Sequence, residues 1–271
     1  MNHRAKKRFG QNFLSDDNII NNIVSSIAPQ KDDVIIEIGP GLGAMTIPLL
    51  DAVDTLNVIE LDRDIIPRLV YNCKIHDPAC AERLVVNEAD VLKFDFAEFH
   101  SKHAQGKKLR IVGNLPYNIS TPILFHLLDF RHLISDMTFM LQKEVVDRIC
   151  SPPGNKSYGR LSIMIQAFCR AQSLFEVPPS AFQPAPKVDS AIVHLVPRDD
   201  EQVMISSFHD FETLVRSAFA QRRKTLRNTL RSLCSAEQIE AAGFKPSQRA
   251  EELSVKDFIK LYNTIFQDNN S

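Results

Sequence analysis

Val34-Ile35-Ile36-Glu37-Ile38-Gly39-Pro40-Gly41-Leu42-Gly43-Ala44 is the stretch on which the fold turns. Its first five residues are four β-branched side chains and one acid, the pattern of a strand covered on both faces. Alternating glycines then make a turn, and 44–52 reads as a helix. A strand, a glycine turn and a helix in this order let a ligand approach the backbone at a helix N-terminus. The same alternation continues downstream: 55–60, 84–87, 109–113, 137–141 and 192–196 read as strands, with helices near 62–73, 121–130 and 143–150. This is an α/β pattern with a mainly parallel sheet covered on both faces. Ligands of such sheets bind at the carboxyl ends of the strands.

The turn fits two cofactor classes. Residues 39–44 satisfy G-x-G-x-x-A, the dinucleotide fingerprint, so NAD is a competitor. Glu60, at the end of the next strand, can accept from both ribose hydroxyls of either cofactor. Two details favour S-adenosylmethionine: Glu37 gives the turn the form E-x-G-x-G-x-G, and Asp90-Val91 follows the third strand, where Asp90 can accept from an adenine amine. Glu60, Asp90, Gly39 and Asn114 form a spaced series, each at the end of a strand.

The last of these opens Asn114-Leu115-Pro116-Tyr117. A planar aromatic amine is a poor nucleophile because its lone pair is delocalised, so a catalyst must hold its N–H groups and aim it. Asn114 offers a side-chain oxygen. Leu115 precedes a proline, which confines it to extended conformations and fixes the direction of its carbonyl. Tyr117 can stack on the ring, and Phe182, in the stiff Phe182-Gln183-Pro184-Ala185-Pro186-Lys187-Val188 loop, can cover the opposite face. Stacking of this kind contributes about 1–3 kcal/mol per base. The motif suits methylation of such an amine without a general base. Orientation supplies up to roughly 7–11 kcal/mol, against the 3–5 kcal/mol or so that acid–base catalysis adds.

The 271 residues are 44% hydrophobic, ample for a packed core, and no apolar run reaches the length of a membrane span. Five cysteines without C-x-x-C spacing read as reduced thiols of a cytoplasmic protein, with no metal site. The net charge of −1 conceals an uneven distribution. Residues 1–8 carry Arg4, Lys6, Lys7 and Arg8, and 216–231 carry Arg216, Arg222, Arg223, Lys224, Arg227 and Arg231, with no acid in either segment. Setting those ten aside leaves 22 of the 32 bases against 33 acids. Two basic segments on an acidic protein form a footprint for phosphates. The second is read as a helix with Arg223, Arg227 and Arg231 on one face, in contact with RNA.

Asp16 is expected to cap a helix running to about Ala28. Residues 178–186, rich in proline, read as an ordered loop before the last strand. The strand pattern stops in 198–207 and helical spacing follows, which divides the chain into 1–198, a cofactor-binding domain with a basic N-terminal lead, and 199–271, a small all-α RNA-binding domain. Residues 154–162 read as a mobile loop with no assigned role.

With these residues in view, the chain resembles the ribosomal RNA adenine dimethyltransferases, and within them the bacterial small-subunit branch. The resemblance is carried by Gly10-Gln11-Asn12-Phe13-Leu14, the 37–43 turn, Glu60, Asp90-Val91, the 114–117 motif, Gln142-Lys143-Glu144-Val145, Tyr158-Gly159-Arg160-Leu161-Ser162, the 182–190 loop and the basic residues around 222–227. It implies a Rossmann-like class I methyltransferase domain with a small helical domain, S-adenosylmethionine as donor, and two adjacent adenines in a 3′-terminal hairpin of small-subunit (16S) rRNA as substrate. The implied partner is an immature 30S particle, met by a monomer in the cytoplasm. By position the resemblance implies that Asn12 and Leu14 close over the cofactor. Gly39 then meets its methionine part, Glu60 its ribose and Asp90 its adenine, and Asn114 bridges cofactor and target. Other readings are the large-subunit enzymes of macrolide resistance and a non-catalytic RNA-binding assembly factor.

Overall fold

The computed structural model describes residues 12–199 and 203–266. Arg4, Lys6, Lys7 and Arg8, expected to touch RNA, lie outside the described residues, as do Gly10 and Gln11. The chain divides into two compact units, one of 1–146 with 172–197 and the other of 147–171 with 198–271. The second unit thus takes in 147–171 besides everything that follows Pro197.

The first unit is built on a seven-stranded sheet. Its strands are β2 (Val34–Ile38), β3 (Leu56–Glu60), β4 (Leu84–Glu88), β5 (Leu109–Asn114), β6 (Ile134–Gln142), β7 (Cys169–Val177) and β9 (Ser190–Pro197), in the order β4-β3-β2-β5-β6-β9-β7. The pairs from β4 to β6 are parallel, and β9 runs antiparallel to β6. A separate two-stranded ribbon pairs β1 (Phe13–Leu14) with β8 (Phe182–Gln183). The six expected strands are all present; β7 and the ribbon were not expected. Among the helices, α1 (Asp17–Ile27) is capped as anticipated: Asp16 accepts from the N–H groups of Asn18 and Ile19, and Ala28 closes the helix in the left-handed region at φ 47°. The helices α2 (Thr46–Ala52), α3 (Ile66–His76), α4 (Pro78–Arg83), α5 (Phe96–His103), α6 (Ser120–Asp129) and α7 (Lys143–Cys150) follow, of which α4 and α5 were not anticipated.

Strand β2 lies between β3 and β5, and its last four residues are buried. Parallel pairing sets Ile38 opposite Gly113. A side chain at 113 is excluded there, because a Cβ would stand 2.5 Å from the Ile38 carbonyl oxygen. At the other end of the strands Arg110 donates to both oxygens of Asp136 at 2.8 Å and to Asp33 at 2.6 Å, joining β5, β6 and the approach to β2.

The second unit is helical. Its long helices are α8 (Arg160–Phe168), Phe208–Ala218 and Val255–Phe266. Aromatic rings hold them together: Phe211 meets Phe168 and Tyr262 edge-on, and Phe219 stacks on Phe258. The Tyr158 hydroxyl, in the stretch read as a mobile loop, is buried and donates to the Leu253 carbonyl at 2.9 Å, and α8 begins at Arg160. The anticipated continuous helix over 216–231 is broken. Helix Phe208–Ala218 ends, turns follow, and a four-residue helix, Leu226–Thr229, begins after extended Thr225. The break has a cause in hydrogen bonding, since the N–H groups of Leu226 and Arg227 donate to the carbonyls of Gln248 and Pro246. Arg223, Arg227 and Arg231 are exposed but do not share one helix face.

Two substitutions test this packing. Gly113→Ala is expected to lower stability by about 1–3 kcal/mol through the forced contact with Ile38, read as a lower urea midpoint with an unchanged slope. The second concerns Glu37, fully buried in β2 and accepting from Thr46 Oγ1 at 2.7 Å. Burial pushes its carboxyl up from 4.5 to about 7, against the opposing Thr46 hydrogen bond. A raised carboxyl contributes its full stability below the unfolded value, and that contribution is lost as pH rises to about 7. The stability of Glu37→Gln relative to wild type is therefore expected to rise by at most about 3 kcal/mol between roughly pH 5 and pH 8. Urea melts giving the same difference at both values contradict this.

Candidate active site

The sheet reverses direction of build between β2 and β5: from β2 the chain adds β3 and β4 on one side, then returns to place β5 and β6 on the other. Such a switch point opens a crevice at the carboxyl ends of the strands. The crevice encloses about 1300 Å³, including open solvent at its mouth, and is lined by the 39–42 turn, Glu60, Asp90 and 114–119, with Asn12, Phe13 and Leu14 on another side. The crevice is open to solvent along one side, so a second reactant can reach the groups that line it.

Each strand end delivers one group. Gly39 stands in the left-handed region at φ 68°, which a residue with a side chain adopts only under strain, and its N–H donates to the Ile59 carbonyl. The turn is tied from outside by Asn72 Nδ2, which donates to the Leu42 carbonyl at 2.9 Å. Glu60 ends β3. Burial pushes its carboxyl up, opposed by the backbone N–H groups of Asp62, Leu61 and Gly41 that donate to it. Asp90 caps the single turn Val91–Lys93, its Oδ1 accepting from the Leu92 N–H at 3.0 Å. The walls between these groups are apolar: Leu42, Met45, Val91, Pro116, Ile119 and Ile123. Carboxylates facing an apolar slot suit a nucleoside, whose hydroxyls and amine are donors and whose base is flat.

Asn114 closes β5. Among the described residues, no side chain or backbone group hydrogen-bonds its amide, so its oxygen is available to an outside donor. The Leu115 N–H is committed to the Met140 carbonyl at 3.2 Å, which anchors the Asn114–Leu115 peptide. Tyr117 is half-buried, and its hydroxyl lies 2.6 Å from Ser190 Oγ. Burial pushes this phenol up, keeping it neutral in the physiological range, against the opposing Ser190 contact.

Of the residues singled out in the sequence, Asn12, Leu14, Gly39, Glu60, Asp90, Asn114, Leu115 and Tyr117 line this one cavity. Phe182 does not. It is 5% exposed, pairs with Leu14 through the β1–β8 ribbon, and packs in the core with Leu14, Ile20, Ala181 and Ile192. Thr46 and Ser190 carry hydrogen bonds that no motif marked, because an isolated hydroxyl gives no sequence signal. The cysteines are thiols rather than disulfides, and the fold brings the ligand atoms of Asp51, His76 and Cys80 within 4.8 Å of one another. That cluster already contains the Arg83 guanidinium 3.7 Å from the Cys80 sulfur, a charge that disfavours a cation there. The exposed bases Arg222, Arg223, Lys224, Arg227 and Arg231 belong to the second unit, where Arg222 is held by Glu251 at 2.9 Å and by the Lys156 carbonyl.

Comparison with known proteins agrees with this geometry. The family model of ribosomal RNA adenine dimethylases matches residues 2–267. "Ribosomal RNA small subunit methyltransferase A" of Aromatoleum aromaticum is 52% identical over 97% of this chain and 95% of its own length. The protein of the same name from Mannheimia succiniciproducens is 51% identical over 98% and 91%. Among solved structures, a dimethyladenosine transferase from Plasmodium falciparum superposes with a TM-score of 0.77, at 27% identity over 92% of this chain and 95% of that one. The sheet and its flanking helices are those of the Rossmann-like class I methyltransferases, and the chain belongs to the ribosomal RNA adenine dimethylase family.

Proposed function

We propose that this protein transfers methyl groups from S-adenosylmethionine to the N6 amines of two adjacent adenosines in a 3′-terminal hairpin of small-subunit rRNA, giving dimethyladenosines during 30S biogenesis. The observation that carries the reading is the convergence, in one cavity, of an acceptor motif on β5 with a nucleoside-binding rim on β2, β3 and β4. Family membership and the names of the 50%-identical relatives support the substrate.

Glu60 would accept from ribose hydroxyls and Asp90 from an adenine amine, while the 39–42 turn holds the amino-acid end against its backbone. Bound there, S-adenosylmethionine supplies a methyl group on a sulfonium. The rest is positioning by the chain. Asn114 Oδ1 and the Leu115 carbonyl accept the two N–H bonds of the target amine, which turns its lone pair out of the ring plane and toward the methyl carbon. The bound donor would supply the methyl group and depart as its thioether, and the methylated, cationic amine held by Asn114 and Leu115 would give its proton to water. No side-chain base is needed, because the alkylated amine is far more acidic than the free one.

Tyr117 covers one face of the base. Phe182 acts behind it, by fixing the β1–β8 ribbon that carries Leu14 to the cavity, and Asn12 precedes that ribbon. The exposed bases of 222–231 on the second unit, with the basic N-terminal lead, bind RNA phosphates. The protein acts as a cytoplasmic monomer on an immature particle rather than on a membrane, and no helix of the described residues is long and apolar enough to cross one.

Asn114→Ala is expected to slow methylation of immature small subunits on the order of 100-fold or more, with calorimetric binding of S-adenosylmethionine weakened by much less than the rate. Methylation at the wild-type rate rules out the assigned role. An inactive wild type that binds neither the cofactor nor its thioether product supports a non-catalytic assembly factor instead.

A further inference from the structure

We propose that Ser190 is a positioning residue of this site: its hydroxyl pins the far end of the Tyr117 ring, and the second methyl transfer to an adenine depends on that pin more than the first. The inference rests on the function proposed above.

Ser190 is fully buried at the start of β9. Its place opposite Gln142 is set by the antiparallel pairing with β6, and the next residue of that strand's continuation, Lys143, donates its N–H to the Asp189 carbonyl at 2.9 Å. Tyr117 arrives from a different element, the turn after β5, and reaches Ser190 Oγ with its own hydroxyl at 2.6 Å. Among the described residues, no second hydrogen bond occupies Ser190 Oγ. A buried hydroxyl needs a partner, and this one has it in the wall of the cavity.

The mechanical consequence follows from the two ends. Tyr117 is fixed at Cα by the turn and at Oη by Ser190, so its ring keeps one axis and one depth in the cavity wall. In the first transfer the amine has two N–H bonds for two acceptors, Asn114 and the Leu115 carbonyl. After it, only one remains. Half of the hydrogen-bonded orientation is gone, and a bulkier amine must still present its lone pair in the same direction. The fixed ring then supplies a larger share of the alignment.

The test is nucleoside mass spectrometry on immature small subunits treated with the full-length protein, read as the ratio of monomethyl- to dimethyladenosine at matched total methylation. Ser190→Ala and Tyr117→Phe remove the same bond from opposite ends, so a folding defect in one does not decide the result. Each is expected to raise the ratio roughly three- to tenfold, the rate equivalent of one hydrogen bond, and the double variant to raise it no further. A wild-type ratio in both single variants, equal slowing of both transfers, or additive effects in the double variant overturns the inference alone. A wild type that makes no methylated adenosine overturns the underlying reading as well.

Discussion

The parallel pairing of Ile38 with Gly113 is the contact on which the site depends. It leaves no space for a side chain at 113, so β2 and β5 run close enough for their next residues, Gly39 and Asn114, to share one rim. A Cβ on Gly39 would come within 3.8 Å of the Asn114 backbone oxygen. The 39–42 turn and the 114–117 motif are therefore not two features that meet by a later motion. They are consecutive steps of the same two strands, placed together by the register of the sheet.

That arrangement explains how buried acids are tolerated where the sheet is most apolar. Glu37 sits inside β2 with one hydroxyl partner, and burial raises its carboxyl to about 7. Glu60, one strand away, is also raised by burial but receives backbone N–H groups from the turn and from its own strand end. Both acids border the cavity, and they differ in exposure: Glu37 is fully buried and bonded to Thr46 of α2, whereas Glu60 is partly exposed. A fully buried acid whose burial works against its charge fits a part in holding the turn, while the partly exposed one is free to meet hydroxyl donors. In the reaction proposed above, catalysis would come from fixed acceptors and fixed rings, which cost no reorganisation at the moment of reaction.

Much of the fold was legible because its central strands, such as β2 and β3, are buried on both faces and read as continuous apolar runs. The glycine turn and the capped start of α1 were legible for local reasons, a positive φ and an Asp side chain. Strand β7 was not, since it lies at the sheet edge with four of its nine residues exposed, Arg170, Gln172 and Ser173 among them, and shows no clean period of two. The basic stretch misled for the opposite reason. Leu226 and Leu230 have helical spacing, but backbone donors of Leu226 and Arg227 found carbonyls in a distant segment, a tertiary choice that spacing does not encode. Phe182 shows the same limit at the site: an aromatic residue in a proline-stiffened loop looks alike whether its ring faces a ligand or, as here, the core. The cavity series Gly39, Glu60, Asp90 and Asn114 was legible because strand ends in an open α/β sheet must converge.

The measurement that tests the central claim most directly is mass spectrometric mapping of ribosomal RNA from cells with and without this gene. The account predicts that loss of the gene removes dimethylation from two adjacent adenosines near the 3′ end of the small-subunit RNA and leaves large-subunit RNA unchanged. Unaltered small-subunit RNA, or loss of a modification from the large subunit, would contradict it.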